Sequence, residues 1–159
     1  FRLTKNGKLI DGIFEGATIN TPSMLAVEDY LVALDWARSV GGLSGLIGRA
    51  NANTQAIERF VAEHDWIEFL AKDPQTRSNT SVCLRFQDSR ILEANSFAKS
   101  IAKRLEAEGV AFDIGAYRDA PAGLRIWCGG TVETSDIEAM LPWLLWAFEN
   151  EIDAQSQAA

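Results

Sequence analysis

Two arginines bracket a stretch that carries proline and glycine, Tyr117-Arg118-Asp119-Ala120-Pro121-Ala122-Gly123-Leu124-Arg125. A guanidinium is planar and permanently charged, and it grips a carboxylate or a phosphate with paired N–H donors. A loop that feeds a strand is a suitable mount, because binding groups collect on loops held by rigid elements. On spacing alone the pair reads first as surface arginines in ordinary ion pairs. A second candidate stands near the start. Asn20 and Thr21 lie just ahead of an apolar helical pattern. Unpaired N–H groups and the positive end of the helix dipole favour an anion there, and a simple capped core helix is the plainer alternative.

Other chemistry is sparse. His64 is the sole histidine, so no Ser/His/Asp set exists. It falls at a helix end, where a lone histidine reads as a surface or capping group. Cys83 and Cys128 sit in apolar alternating stretches and read as reduced buried thiols, without metal-ligand spacing. Gly41-Gly42-Leu43-Ser44-Gly45 lacks the lysine and spacing of a phosphate loop.

The elements that must hold these groups follow from periodicity. Asn6-Gly7 between short apolar runs signals a hairpin. Thr21 as N-cap and Pro22 as first helical residue open a helix to about Val40. That helix is apolar on so much of its surface that it should be wedged between elements or subunits. After Gly41-Gly42 a second helix has a stripe of Leu43, Leu46, Ile47, Ala50, Ile57, Phe60 and Val61 and ends near His64. Trp66 to Leu70 is a short extended piece, and 71–79 is a polar loop. Val82, Leu84 and Phe86 alternate as a half-buried strand. Ala94, Ala98, Ile101 and Leu105 mark a helix closed by Gly109. Val110, Phe112 and Ile114 give a strand, with Phe112 and Ile126 facing across a hairpin. Leu124, Ile126 and Cys128 give another. Ser135 to Glu138 reads as a capping box. It opens a last helix that carries Ile137, Met140, Leu141, Leu144, Leu145, Phe148 and Ile152 inward, with a kink at Pro142 and a frayed tail from Ala154. The fold class is α/β (α+β): a helix pair followed by a small strand-helix-strand-strand-helix layer.

Composition excludes some functions. The 159 residues suffice for one ordinary core, and 47% are apolar. A formal charge of −7 argues against nucleic acid and anionic membranes. The longest apolar run, Leu141 to Phe148, contains Pro142 and is too short to span a bilayer. No secretory signal opens the chain, and with two isolated cysteines the reading is cytoplasmic. Phe1 is not an initiator methionine, so the chain is expected to be a piece of something longer.

Several strings carry a family resemblance: Ile19-Asn20-Thr21-Pro22-Ser23-Met24, Val27-Glu28-Asp29-Tyr30-Leu31, Gly41-Gly42-Leu43, Thr76 to Leu84 and Tyr117 to Cys128. In this order they resemble the later part of the phosphoserine aminotransferases, pyridoxal-phosphate (PLP) enzymes of the class V aminotransferase group. The resemblance covers nearly the whole chain. It implies the C-terminal part of an aspartate-aminotransferase-like fold. Residues 1–70 would end the large PLP-binding domain with its connecting helices, and 71–159 would form the small domain. The implied reaction moves an amino group between glutamate and 3-phosphohydroxypyruvate in serine biosynthesis, within a cytoplasmic homodimer. Another class V aminotransferase and a stand-alone carboxylate-binding module are the alternatives.

The same resemblance assigns residues. Gly123-Leu124-Arg125 matches the segment whose arginine binds the substrate α-carboxylate. Tyr117-Arg118 stands near the family's His-Arg pair that contacts the substrate phosphate, with Tyr for His and the spacing one residue longer. Asn20 and Thr21 match a pair that reaches the PLP phosphate of the neighbouring subunit. After Arg125 this chain has Ile126-Trp127-Cys128-Gly129 where the better-known branch has a Ser and a Tyr-Asn pair, which suggests a divergent branch. The Schiff-base lysine of the family lies upstream of the matching segment. None of Lys5, Lys8, Lys72, Lys99 and Lys103 fits its motif, so the chain alone is expected to be inactive and without PLP.

Overall fold

The Asn-Gly signal near the start forms the hairpin it predicts. β1 (Thr4–Lys5) pairs antiparallel with β2 (Lys8–Leu9), and Lys5 lies opposite Lys8. Asn6 and Gly7 take φ of 53° and 74°, the left-handed pair that a two-residue turn of this hand requires. The computed structural model describes residues 3–18 and 20–158, so readings that involve Phe1, Ile19 and Ala159 lie outside the described residues. The chain divides into two units, Phe1–Val40 and Gly41–Ala159.

In the first unit, α1 spans Met24–Ser39. Its cap is Ser23, whose Oγ accepts from the Ala26 N–H at 3.4 Å. The expected Thr21 cap is therefore wrong. Ser23 meets an early helical N–H, and Pro22 stands outside the hydrogen-bond ladder. No residue of α1 is buried, and Leu25 and Val32 are 73% and 70% exposed.

The second unit opens with α2 (Gly42–Glu63). Its buried face is Ala50, Asn53, Thr54, Ala56, Ile57 and Phe60, whereas Leu43 and Ile47 of the expected stripe are exposed. The helix ends on His64, whose Nδ1 lies 2.7 Å from the Phe60 carbonyl oxygen and whose ring stacks on Phe60. This is the capping role that the sequence suggests.

One antiparallel sheet follows in the order β3 (Ile67–Phe69), β4 (Ser81–Phe86), β5 (Leu124–Trp127). β4 and β5 register as Val82 with Ile126, Cys83 with Arg125 and Leu84 with Leu124. Between them, α3 (Ala94–Ala107) is capped by Glu93, whose carboxylate accepts from the Asn95 and Ser96 N–H groups. The expected strand at Val110 to Ile114 does not form. The Leu105 carbonyl takes both the Val110 and Ala111 N–H groups, and Asp113 turns left-handed at φ 53°. The segment reaches the sheet only at Gly115, which bridges to Leu124, and through the Ile114 carbonyl, which accepts from the Arg125 N–H. The Phe112/Ile126 pairing is thus replaced, and Phe112 is exposed.

α4 (Thr134–Ala158) starts one residue before the predicted capping box, so Ser135 lies inside the first turn. Glu138 pairs with Arg59 of α2 instead. The helix runs unbroken through Pro142, and the tail expected to fray is helical to Ala158. All seven apolar positions expected on its inner face pack in the core. α2, α3 and α4 bury residues in the same cluster as Val82, Leu84, Leu124 and Ile126. A fully buried side chain such as Leu105 contributes about 1.5–3 kcal/mol there. One further tie is polar. Glu151 on α4, nearly buried, accepts from Ser100 Oγ at 2.8 Å and Arg104 Nε at 2.9 Å on α3.

Candidate functional site

Arg125 owes its position to alternation along β5. Leu124 and Ile126 point into the core, so Arg125 and Trp127 stand on the opposite face. Cys83 lies across from Arg125 and Ser81 across from Trp127, all at least partly exposed. One strand over, Glu68 pairs with Arg85 on the same face. The sheet therefore has a helix-covered apolar face and an open polar one. Arg125 is half-buried, and its Nη2 lies 3.5 Å from Asp113 Oδ2. The aspartate is 94% exposed, so this contact is loose and solvent-screened. A half-buried guanidinium with one loosely held carboxylate can exchange it for another.

Gly123 sets the height of this strand. A Cβ there would lie 2.0 Å from the Leu84 carbonyl oxygen, so only glycine lets β5 start so close to β4. Behind β5, Asn53 on α2 fixes the chain. It is fully buried, and its Nδ2 donates to the carbonyls of Cys128 and Val132 at 3.1 Å and of Gly129 at 3.3 Å. Its Oδ1 accepts from Thr134 Oγ1 at 2.7 Å. Cys128, also fully buried, has its thiol pushed up to about 11 by that burial, so it is an inert core thiol.

Arg118 lies elsewhere. With Tyr117 it lines a cleft of about 380 Å³ between the 115–123 loop and α3, where Lys99 and Lys103 also reach. Arg125 does not line this cleft. The two arginines that the sequence reading gives to one substrate thus stand at separate places in this unit.

Asn20 and Thr21 belong to the first unit. Both are exposed and neither makes a hydrogen bond among the described residues. They precede the N-terminus of the sixteen-residue α1, an end whose dipole favours an anion. A complete PLP site also needs an enclosed lysine, and Lys5, Lys8, Lys72, Lys99 and Lys103 are all exposed. Among the described residues, then, no enclosed lysine accompanies Asn20 and Thr21.

Sequence reasoning missed Asn53, because a polar residue in an apolar stripe gives no period to follow.

The fold is of the aspartate-aminotransferase-like class. A solved phosphoserine aminotransferase from Bacillus circulans subsp. alkalophilus matches 87% of the chain at TM-score 0.73 and 19% identity, over 36% of its own length. A second, solved in a study of radiation damage to its Schiff base, matches 92% at TM-score 0.74 and 17% identity, over 40% of its length. In sequence, the phosphoserine aminotransferases of Methanosarcina mazei and Methanosarcina barkeri are each 55% identical to the chain, over 149 and 148 residues. That is 94% and 93% of the chain. The relative from a Nocardioides species is 26% identical over 142 residues. No family model matches. The chain is a homologue of one portion of phosphoserine aminotransferase, and it spans 39% of the length of its two Methanosarcina relatives.

Proposed function

We propose that this chain is the substrate-carboxylate side of a PLP-dependent phosphoserine aminotransferase. The whole protein transfers an amino group between L-glutamate and 3-phosphohydroxypyruvate, as a cytoplasmic homodimer. Arg125 carries the reading. It is a half-buried guanidinium on the open sheet face, fixed by Gly123 at the close β4–β5 approach, and among the described residues its fork meets only the loose Asp113 carboxylate. Both substrates present an α-carboxylate, and a planar fork recognises it with two parallel hydrogen bonds. Arg118 is assigned to the phosphate side of the phosphorylated substrate, on the strength of the family motif. Asn20 and Thr21 are assigned to the cofactor phosphate, across the subunit boundary, and the exposed apolar surface of α1 supports a partner covering it. When bound, PLP supplies the electron sink that makes the α-carbon reactive. This chain's residues would bind and orient the substrate against it.

The test uses the chain alone and the protein at its relatives' full length. The long form should form phosphoserine and 2-oxoglutarate. The 159-residue chain should not, and borohydride reduction with PLP should leave only sparse adducts spread over surface lysines. Stoichiometric labelling of one lysine of the chain, with transaminase activity, overturns the reading.

A further inference from the structure

We infer that Trp127 is a positioning residue for the site at Arg125, its indole covering one flank of the guanidinium–carboxylate pair and excluding water from it. The inference rests on the α-carboxylate reading of Arg125. Trp127 follows Arg125 by two positions on β5, so both side chains rise from the open face, with Cα atoms about 6.6 Å apart. Opposite them on β4 stand Cys83 and Ser81, whose short side chains leave the space over the strands open. The indole is 58% exposed, and exposure alone decides nothing. What singles it out is that the ring is seated. A Cβ on Gly129 would lie 2.4 Å from Trp127 Cζ2 and 2.6 Å from Cε2. The ring therefore rests against bare backbone, a place open to it because residue 129 is glycine. That backbone is itself fixed, since the Gly129 carbonyl accepts from Nδ2 of the buried Asn53 at 3.3 Å.

The guanidinium needs such a wall. Arg125 is only half-buried, and the carboxylate it now meets is loose. A charge pair open to water contributes little and is screened by salt. The same pair beside an apolar surface lies in a lower local dielectric, where it is stronger and less screened. An indole is a large, rigid surface set by two torsions, so ordering it costs little entropy. It also carries no charge that would compete with a substrate carboxylate. Its place beside Arg125 ties it to the α-carboxylate, the group that both substrates share.

Kinetics of the full-length protein at several ionic strengths test this. W127A should lower kcat/KM roughly fivefold or more, through KM, for glutamate and the phosphorylated oxo acid alike. Its KM should also climb more steeply with salt than that of the parent. W127F keeps an aromatic plane and should recover most of the loss. G129A, whose added methyl displaces the ring, should act in the same direction as W127A and add nothing in the W127A background. R125A, measured alongside, separates the two readings. A loss in R125A with a parent-like W127A overturns this inference alone, whereas a parent-like R125A overturns both. A W127A loss with the parent's salt dependence means that the indole only packs against the rest of the protein, and it overturns the inference. So does an equal W127A loss in the R125A background.

Discussion

The carbonyl oxygen of Leu84 lies 2.0 Å from where a Cβ would stand on Gly123. Only a backbone shift can relieve that clash, because the obstructing atom belongs to the neighbouring strand. Gly123→Ala should therefore push the start of β5 away from β4 and carry Arg125 with it. Overpacking of this kind costs about 1–3 kcal/mol. Urea unfolding of the variant should show a loss in that range, and an unchanged midpoint would mean that the close crossing is relaxed in solution.

Asn53 makes a second prediction. Its amide serves three carbonyls and its carbonyl takes the Thr134 hydroxyl, all around the turn that follows β5. Asn53→Ala leaves buried acceptors unpaired, at about 1–3 kcal/mol for each group that water cannot reach. The neighbouring Asn51 is exposed, and its side chain accepts from Asn79 Nδ2. Asn51→Ala should stay within about 0.5 kcal/mol of the parent, as exposed substitutions usually do. Comparable losses in the two variants would contradict the anchoring role.

These two sites show where sequence reading stops. Asn6-Gly7 was legible because a two-residue left-handed turn accepts few other pairs. α3 and α4 were legible from their inward periodicity, and β5 from Leu124 and Ile126. Val110, Phe112 and Ile114 alternate just as well, yet the Leu105 carbonyl captures two N–H groups and Asp113 turns left-handed. Alternation describes side chains, and it cannot tell where the backbone finds its hydrogen bonds. Ser135 has the right spacing for a capping box, yet the helix begins at Thr134, whose hydroxyl is drawn to Asn53. That preference comes from a residue 81 positions away. Arg125 was legible as a candidate because its motif is local. Its separation from Arg118 was not, since it depends on which face of β5 each neighbour packs against.

Acid should loosen α3. The Glu93 carboxyl is held below its ordinary value of 4.5, first by the Ser96 backbone N–H and then by that of Asn95. A depressed folded-state value means that the cap stabilises the protein above the unfolded-state value and fades as pH falls through the folded one. Glu93→Gln should lower Tm at neutral pH, and the gap to the parent should close as pH falls below the ordinary carboxylate range. A gap that is constant across that range would show that the charge on Glu93 does not contribute.

Mixed dimers test the placement of Asn20 and Thr21. At full length, one subunit would carry both changed to Ala and its partner would lack the Schiff-base lysine. If the pair serves the neighbouring subunit's site, the subunit that keeps its lysine draws on a wild-type Asn-Thr pair. Activity should then exceed that of either homodimer. No recovery would place the pair in its own subunit's site or in none.

The most direct measurement compares Arg125→Ala with Arg118→Ala in the full-length protein, reading kcat/KM for each substrate. Removing one partner of a buried, hydrogen-bonded charge pair costs about 2–5 kcal/mol. For Arg125→Ala that is a fall of at least roughly 30-fold. It should appear for glutamate and for the phosphorylated oxo acid alike, because both present an α-carboxylate. Arg118→Ala should impair the phosphorylated substrate more than glutamate. Small and equal effects from the two substitutions on both substrates would return the arginines to ordinary surface charge and contradict the account.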